Sequence, residues 1–266
     1  MIYVVPSLKA KEKLQSEGKA WAESQGFTYV PRGKRTIQDL MDEYGEDFLV
    51  YSSRGPQIDR PEGSHFFSLN MAELRIQNLR KGQRDHLLEA LIGRGSSHQP
   101  LSVLDCTCGF GADAAVASFG LPDGSRVDAL EVSPLLEAVT SWGFSHFVHK
   151  KDDVTAALRR ISLRHGDYRD YLLSDEGPVY DVLYFDPMFQ RPVEASCQFQ
   201  PVRAIMEHGG LTRDLIERAL QKARRRVVIK ERDFRQLCRD FPEVTLYGGK
   251  YSRIGYAVLE CDSWKK

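Results

Sequence analysis

The sequence has no excess of charge of either sign and no long apolar run. Its 266 residues include 37 lysines and arginines and 37 aspartates and glutamates, and no polybasic tail indicates binding to nucleic acid. No segment approaches the length of a membrane span. The N-terminal stretch MIYVVPSLKAKEKL places a short apolar run before its charges, which is not the order of a signal peptide. We therefore expect neither membrane insertion nor secretion.

Cysteine is also scarce, and its spacing suits neither a disulfide framework nor a metal site. The five cysteines lie at positions 106, 108, 197, 238 and 261, which is not the even set of a small secreted domain. Cys106 and Cys108 are separated by one residue, which is shorter than the usual zinc spacing, and no second Cys/His cluster accompanies them. The sequence predicts a reduced, cytoplasmic protein without a bound metal, in which these two cysteines are buried apolar residues.

Strand and helix signals divide the chain into a short N-terminal part and a longer, more regular part. Within the first part, the segment RGPQIDRPEGS at 54–64 predicts a loop because it is rich in turn formers. From residue 102 onward, buried strands alternate with helices, which predicts a parallel sheet covered on both faces. Two closing strands with a short connection predict an antiparallel end. We expect an N-terminal α/β extension over 1–84 and a larger domain over 85–266.

A turn that contains two glycines follows the first strand of the larger domain. Asp105 ends this strand, and Gly109 and Gly111 precede the next helix. Glycine at such a turn permits tight bending and lets a ligand approach the backbone closely. The stretch CGFGADA is not followed by Lys-Ser/Thr, so it is not the phosphate loop of a nucleoside triphosphatase.

Acidic residues follow the next three strands as well, at Glu131, Asp167 and Asp186. Because the carboxyl ends of parallel strands lie along one edge, we expect these acids to share a cofactor site, with Glu131 placed for a ribose diol. A dinucleotide and S-adenosylmethionine both fit this pattern. Asp105 favours S-adenosylmethionine, because a pyrophosphate needs an uncrowded helix N-terminus, whereas the cationic amino acid end of S-adenosylmethionine tolerates carboxylates.

The stretch FDPMF at 185–189 resembles a loop of methyltransferases that act on exocyclic amino groups of bases, and this resemblance implies the chemistry of the site. An aromatic amine is a poor nucleophile because its lone pair is delocalised. The Asp186 carboxylate and the Pro187 carbonyl can accept its two N–H bonds and favour a pyramidal nitrogen, while Phe189 offers a face on which a splayed base can stack. We expect these three residues to be catalytic.

These motifs resemble those of class I methyltransferases. In that family an Asp/Asn-Pro-Pro-Tyr/Phe loop acts on exocyclic amino groups of bases; Met188 replaces its second proline here, and Thr107 replaces a glycine of the first motif. The resemblance implies an α/β, Rossmann-like fold whose seven-stranded sheet is mostly parallel with an antiparallel end.

A narrower resemblance rests on the blocks NMAELRIQNLRKG, LDCTCGFGADA, LEVSP, DVLYFDPMF and VVIKERDF. They resemble the small-subunit ribosomal RNA guanine-N2 methyltransferases and a Firmicute-like branch of their relatives. The resemblance implies S-adenosylmethionine as cofactor and ribosomal RNA or the small ribosomal subunit as partner. Small hydroxyl residues usually occupy the positions of Asp167 and Tyr168 in that family. The cofactor contacts that it implies match Ala112, Asp113, Glu131, Val132, Asp167, Tyr168 and Asp186.

Alternative functions stay open at this point. A small-molecule or protein N-methyltransferase is favoured by the balanced charge, since RNA-binding proteins often have a basic stripe. A non-catalytic module that binds S-adenosylmethionine is a third hypothesis, and an NAD-dependent enzyme is disfavoured by Asp105 and by FDPMF. Lys230 and Glu231 end the fifth strand at the same edge, where we expect an ion pair at a helix start or a role in positioning the substrate.

Overall fold

The computed structural model describes residues 1–93, 99–187, 210–248 and 254–263. The fold separates into two compact units, each of which is described here by itself. The first unit contains Met1–Ser68 and Ser133–Phe147, and the second contains the described parts of Leu69–Val132, Val148–Pro192 and Glu207–Lys266. The predicted domain bounds, 1–84 and 85–266, stay a prediction.

The first unit is built on a five-stranded sheet with the order β2-β1-β3-β4-β5. Strand β1 pairs in parallel with both neighbours, whereas β4 pairs antiparallel with β3 and β5. Thr36 opens the helical segment TIQDLMDEYG and is predicted as its N-cap. The structure confirms this cap, because Thr36 and Asp39 form a reciprocal capping box. The elements of this part are β1 (Tyr3–Pro6), α1 (Glu12–Ser24), β2 (Thr28–Tyr29), α2 (Ile37–Tyr44), β3 (Phe48–Ser52), β4 (Gly55–Arg60) and β5 (Gly63–Phe66).

The predicted loop at 54–64 is wrong, because β4 and β5 form a hairpin there. All six residues of β4 are buried, so pairing on both sides overrides their turn-forming composition. Pro56 is tolerated because the pairing of β4 with β5 begins only at Gln57, opposite Phe66. The missing N–H of Pro56 therefore costs no hydrogen bond to β5.

Helix α6 (Pro134–His146) comes from the middle of the chain and belongs to the first unit. Ser133 caps it and Pro134 opens it, as the sequence predicts. The helix packs on β4. Gly143 permits the close approach of Phe67 to the helix, since a Cβ there would lie 1.9 Å from Cγ of Phe67.

The second unit contains a seven-stranded sheet with the order β11-β12-β10-β9-β6-β7-β8. All neighbouring strands from β10 to β8 pair in parallel, and β12 runs antiparallel to both β10 and β11. This confirms the predicted fold class. Its elements are α3 (Asn70–Arg80), α4 (His86–Ile92), β6 (Ser102–Asp105), α5 (Ala112–Gly120), β7 (Arg126–Glu131), α7 (Asp152–Arg159), β8 (Ile161–His165), α8 (Tyr168–Leu173), β9 (Val182–Phe185), α9 (Arg213–Lys222), β10 (Arg226–Glu231), α10 (Arg235–Asp240), β11 (Thr245–Gly248) and β12 (Gly255–Glu260).

Apolar residues of the central strands form the core of the second unit. Leu183 and Phe185 of β9 pack with Val227 and Ile229 of β10 in one buried cluster. Cys106 lies in the same cluster with a free thiol. Across the residues that the structure describes, no helix is both long and apolar enough to cross a membrane.

Candidate active site

The carboxyl ends of β6, β7 and β9 bring three of the predicted acids to one edge of the sheet. Asp105 is the last residue of β6, Glu131 is the last residue of β7, and Asp186 directly follows β9. The parallel register of these strands accounts for the shared edge. Elsewhere along this edge, Asp167 lies between β8 and α8 and caps that helix by accepting a hydrogen bond from the Arg169 amide at 2.8 Å.

The turn after β6 is held by hydrogen bonds from main-chain amides to two of the acids. Oδ1 of Asp105 accepts from the Thr107 amide at 3.1 Å, and Oε2 of Glu131 accepts from the Gly109 amide at 2.8 Å. Burial raises the pKa of Asp105 well above its usual range, and the hydrogen bond from Thr107 offsets only part of that rise. The turn is thus fixed by two buried carboxyl groups before any ligand binds.

Two glycines shape this turn, and Gly109 leaves space at its surface. Gly109 has a φ of 54° and Gly111 has a φ of 74°, both in the left-handed region that favours glycine. A Cβ at Gly109 would have no neighbour closer than the Thr107 carbonyl oxygen at 3.9 Å. Helix α5 begins directly after Gly111, at Ala112. The turn predicted from CGFGADA is therefore present and is open at Gly109, and its role as a cofactor cradle stays a prediction.

The predicted residues beside β8 have different surroundings. Tyr168 is buried, and its ring packs edge-on against Phe185 with centroids 5.4 Å apart. The Val132 carbonyl oxygen lies 3.0 Å from Nε2 of His165. Asp167 also pairs with the Arg169 guanidinium at 3.2 Å. The Asp167 carboxylate is partly exposed.

Asp113, in the first turn of α5, is the centre of a buried group of charges. Its Oδ1 lies 2.5 Å from Nη1 of Arg75, and its Oδ2 accepts from the Tyr184 hydroxyl at 2.7 Å and from Nζ of Lys230 at 2.8 Å. Burial alone would raise the pKa of Asp113, but the two cations hold it well below its usual range. Arg75 in turn binds both oxygens of Asp85 at 2.8 Å.

Asp186 is joined to the same group through Lys230. Nζ of Lys230 donates to Oδ2 of Asp186 at 2.7 Å, and the Asp186 amide donates to the Thr107 hydroxyl at 2.7 Å. The expected ion pair at a helix start is thus present, since Lys230 also contacts Asp113 at the start of α5. Burial raises the pKa of Asp186 to about 6, although the Lys230 charge acts in the opposite direction.

Sequence reasoning missed several members of this group. Arg75 lies in the quoted block NMAELRIQNLRKG, but nothing in that block shows that it meets an acid 38 residues later. The alternation of side chains along β9 could have indicated Tyr184, because residues two positions apart in a strand, such as Tyr184 and Asp186, point to one face of the sheet. Phe189 and Met188 lie outside the described residues. No group of three metal-binding side chains occurs within the described parts of the chain.

Comparison with known families decides the class of this site. A family model described as "Putative SAM-dependent methyltransferase" matches residues 63–254, which is well over half of the chain. The chain belongs to the S-adenosylmethionine-dependent methyltransferases. The mostly parallel sheet with its antiparallel last strand is thus the sheet of a methyltransferase, and the roles of the glycine turn and the strand-end acids stay predictions.

This methyltransferase is similar to curated relatives that carry two different names. It is 28% identical over 230 residues to "Uncharacterized protein YpiP" of Bacillus subtilis, covering 86% of this chain and 88% of the relative. It is 29% identical over 195 residues to "Ribosomal RNA small subunit methyltransferase J" of Marinobacter nauticus, covering 72% of this chain and 66% of that protein. Among solved structures, the SAM-dependent methyltransferase NGO1261 of Neisseria gonorrhoeae aligns with a TM-score of 0.63 at 19% identity, covering 97% of this chain and 95% of the other.

The residues of the turn fit the cofactor of the family. The open surface at Gly109 provides room for a ligand against the backbone, where a side chain would fill the space. Glu131 accepts a main-chain hydrogen bond through Oε2, and a carboxylate can accept several, so it can also receive ribose hydroxyls. Both carboxylate oxygens of Asp113 bind Arg75, Tyr184 or Lys230, and the expected cofactor contact at position 113 stays a prediction.

Proposed function

We propose that this methyltransferase transfers a methyl group to the exocyclic amino nitrogen of a guanine in small-subunit ribosomal RNA. The observation that supports this proposal most directly is how the two carboxylate oxygens of Asp186 are bound. Its Oδ2 binds Lys230, whereas no described residue donates a hydrogen bond to its Oδ1. The side chain is 29% exposed, so an amine can reach that oxygen. The name "Ribosomal RNA small subunit methyltransferase J" of several relatives supports small-subunit ribosomal RNA as the substrate. Guanine is inferred from the resemblance of the sequence blocks to the guanine-N2 methyltransferases, and Asp186-Pro187 suits an exocyclic amine.

The cofactor would be held by the turn after β6 and by the strand-end acids beside it. S-adenosylmethionine, when bound, supplies a methyl group made electrophilic by a positively charged sulfur. Gly109 and Gly111 allow close approach to the backbone, Ala112 and Val132 contribute at the positions that the family uses, and the carboxylates of Glu131 and Asp167 would accept from hydroxyl groups.

The target amine would be held by the segment after β9. Oδ1 of Asp186 and the Pro187 carbonyl oxygen would each accept one N–H of the amine, which leaves its lone pair to attack the methyl carbon. The new C–N bond forms as the S–C bond breaks, and the methylated nitrogen then releases one proton to water. Positioning supplies most of the rate in such a transfer. Phe189 would provide the face on which the base stacks.

The proposal is tested by incubating the protein with S-adenosylmethionine labelled on its methyl group and small ribosomal subunits from a strain that lacks it. We expect label in the RNA, at the exocyclic nitrogen of one guanine, as mapped by nuclease digestion and mass spectrometry. The variant Asp186→Ala should bind S-adenosylmethionine in calorimetry and transfer no label. Asp233→Asn is the matched control, because it removes an exposed acid that pairs with the neighbouring Arg235.

Each of the other outcomes would support a different function or overturn part of the proposal. Label in ribosomal protein, or transfer to a small amine alone, would support the small-molecule or protein N-methyltransferase. Cofactor binding without transfer to any component would support the non-catalytic module. Failure to bind S-adenosylmethionine or its demethylated product would overturn the proposed role of the glycine turn.

A further inference from the structure

Lys230 is the one described cation that bridges the acid at the start of α5 and the acid after β9. Its Nζ lies 2.8 Å from Oδ2 of Asp113 and 2.7 Å from Oδ2 of Asp186. The register of the sheet explains this position, because Ile229 pairs with Phe185 and the next residues of the two strands are Lys230 and Asp186. The Lys230 side chain is only 14% exposed, so it has little freedom to serve as a surface charge.

The position of Lys230 depends on further charged residues. Asp113 fixes it from one side, and Asp113 is fixed by Arg75, which binds Asp85 with two further hydrogen bonds. The chain of contacts therefore alternates acid and base from the start of α4 to the end of β9. Buried charges of this kind are stable only when each one has partners, and removal of one member leaves the next uncompensated.

We propose that Lys230 is a positioning residue for methyl transfer: it holds Oδ2 of Asp186, so that Oδ1 is left to accept a hydrogen bond from the target amine. This inference rests on the proposed function of Asp186 and deepens it. Asp113 then holds Lys230 in place with its side chain. Any contact of residue 113 with the cofactor would be made by its main-chain atoms.

The pKa of the Asp186 carboxyl group should report its contact with Lys230 independently of activity. Removal of the Lys230 charge takes away the main group that lowers the pKa of Asp186, so that pKa should rise above its value of about 6. Arginine at position 230 should largely preserve it, because the cation is retained. The titratable and charged groups around Asp186 are Lys230 and Glu231 of β10, Asp113 of α5, Asp105 of β6 and Tyr184 of β9.

The experiment compares Lys230→Met, Lys230→Arg and Lys222→Met in the full chain. Lys222 is a matched control, because it is a partly buried lysine that donates to the carbonyl oxygens of Tyr171 and Ser174. The carboxyl carbon of Asp186 is followed by NMR titration of protein labelled at the aspartate side chains, with Asp186→Asn to assign the signal. The kcat and KM for transfer are measured from pH 5 to pH 9.

For Lys230→Met we expect a kcat about 30-fold lower, which is the size of one hydrogen bond to a charged group. The KM for S-adenosylmethionine should change little, and the acid limb of kcat and the Asp186 titration should both move to higher pH. Lys230→Arg should recover most of the kcat, and Lys222→Met should match the wild type.

An Asp186 signal that titrates at the same pH in the wild type and in Lys230→Met would overturn the proposal. So would a folded Lys230→Arg protein whose kcat and pH profile equal those of Lys230→Met. If the wild type labels no RNA, the proposed function fails, whereas the NMR titration still decides whether Lys230 controls Asp186.

Discussion

The two halves of the sheet edge hold their acids in different ways. At the ends of β6 and β7, Asp105 and Glu131 accept hydrogen bonds from main-chain amides of one turn. At the start of α5 and the end of β9, Asp113 and Asp186 are bound by the side chains of cations. We refer to these as the amide-held half and the cation-held half.

This difference in how the acids are held suggests one role for each half, ligand binding in the first and methyl transfer in the second. In the amide-held half, the Gly109 amide donates to Oε2 of Glu131, and the role proposed for this carboxylate is to bind the neutral hydroxyl groups of the cofactor. In the cation-held half, burial raises the pKa of Asp186 and the Lys230 charge opposes that rise, and the role proposed for Lys230 is to orient the acid that would meet the substrate. Substitution should therefore affect mainly ligand binding in the first half, and stability or transfer in the second.

The largest expected effect is on the stability of the cation-held half. Asp113→Ala removes the shared partner of Arg75, Tyr184 and Lys230 and leaves buried charge uncompensated. We expect the free energy of unfolding to fall by about 3–5 kcal/mol, as measured by urea denaturation. Asp233→Asn, which breaks an exposed pair with Arg235, should leave the urea midpoint unchanged. A loss for Asp113→Ala no larger than that of the control would show that the buried charges are not interdependent.

The second prediction concerns the pH dependence of transfer. The pKa of Asp186 is raised to about 6, so the carboxylate form is lost as the pH falls through that value. The rate should therefore decline below about pH 6 and level off above it. Asp186→Asn should lower kcat about 10- to 100-fold, the size of one charge-assisted hydrogen bond, and should abolish this acid limb. The pH profile of single-turnover transfer tests this, and an unchanged acid limb in Asp186→Asn would assign it to another group.

The third prediction addresses the amide-held half. Glu131→Gln keeps an oxygen that can accept from the Gly109 amide but removes the negative charge. We expect the affinity for S-adenosylmethionine to fall about tenfold in calorimetry, which corresponds to about 1.4 kcal/mol. The urea midpoint should stay close to that of the wild type. A large loss of stability with unchanged affinity would mean that Glu131 serves the fold alone.

The smallest expected effect is at the glycine turn. Gly109→Ala forces a side chain into a backbone with a φ of 54°, which should cost about 1 kcal/mol of stability. Gly82→Ala is a matched control, because Gly82 has a φ of 74° and a Cβ added there would meet no heavy atom within 4 Å. Both variants should lose similar stability in urea denaturation, but only Gly109→Ala should also lose affinity for S-adenosylmethionine. Equal affinities would remove Gly109 from the cofactor site.

The amide-held half was accessible from the sequence because its signals are local. Gly109 and Gly111 stand next to the helix that they open, and Glu131 ends a strand whose direction follows from the alternating pattern. The predicted helix caps at Thr36 and Ser133 are confirmed for the same reason. The caps and the glycine turn depend on residues within a few positions of one another, whereas Glu131 lies 22 residues from Gly109 and is brought to it because β6 and β7 are neighbouring parallel strands.

The cation-held half was not accessible in the same way. Lys230 and Asp186 lie 44 residues apart, and Lys230 and Asp113 lie 117 residues apart. Only the strand order places these side chains together. The hairpin of β4 and β5 escaped prediction for a related reason, since the burial of its residues depends on partners elsewhere in the sheet.

Helix α6 has a consequence for the order in which the chain can fold during synthesis. The strands of the first unit are made within the first 68 residues, but Phe67 makes ring contacts with Phe144 and Phe147, which are translated much later. A nascent chain must therefore emerge as far as Phe147, including β6 and β7, before this packing can close. A fragment cut after residue 84 would leave Phe67 and β4 without the helix that covers them.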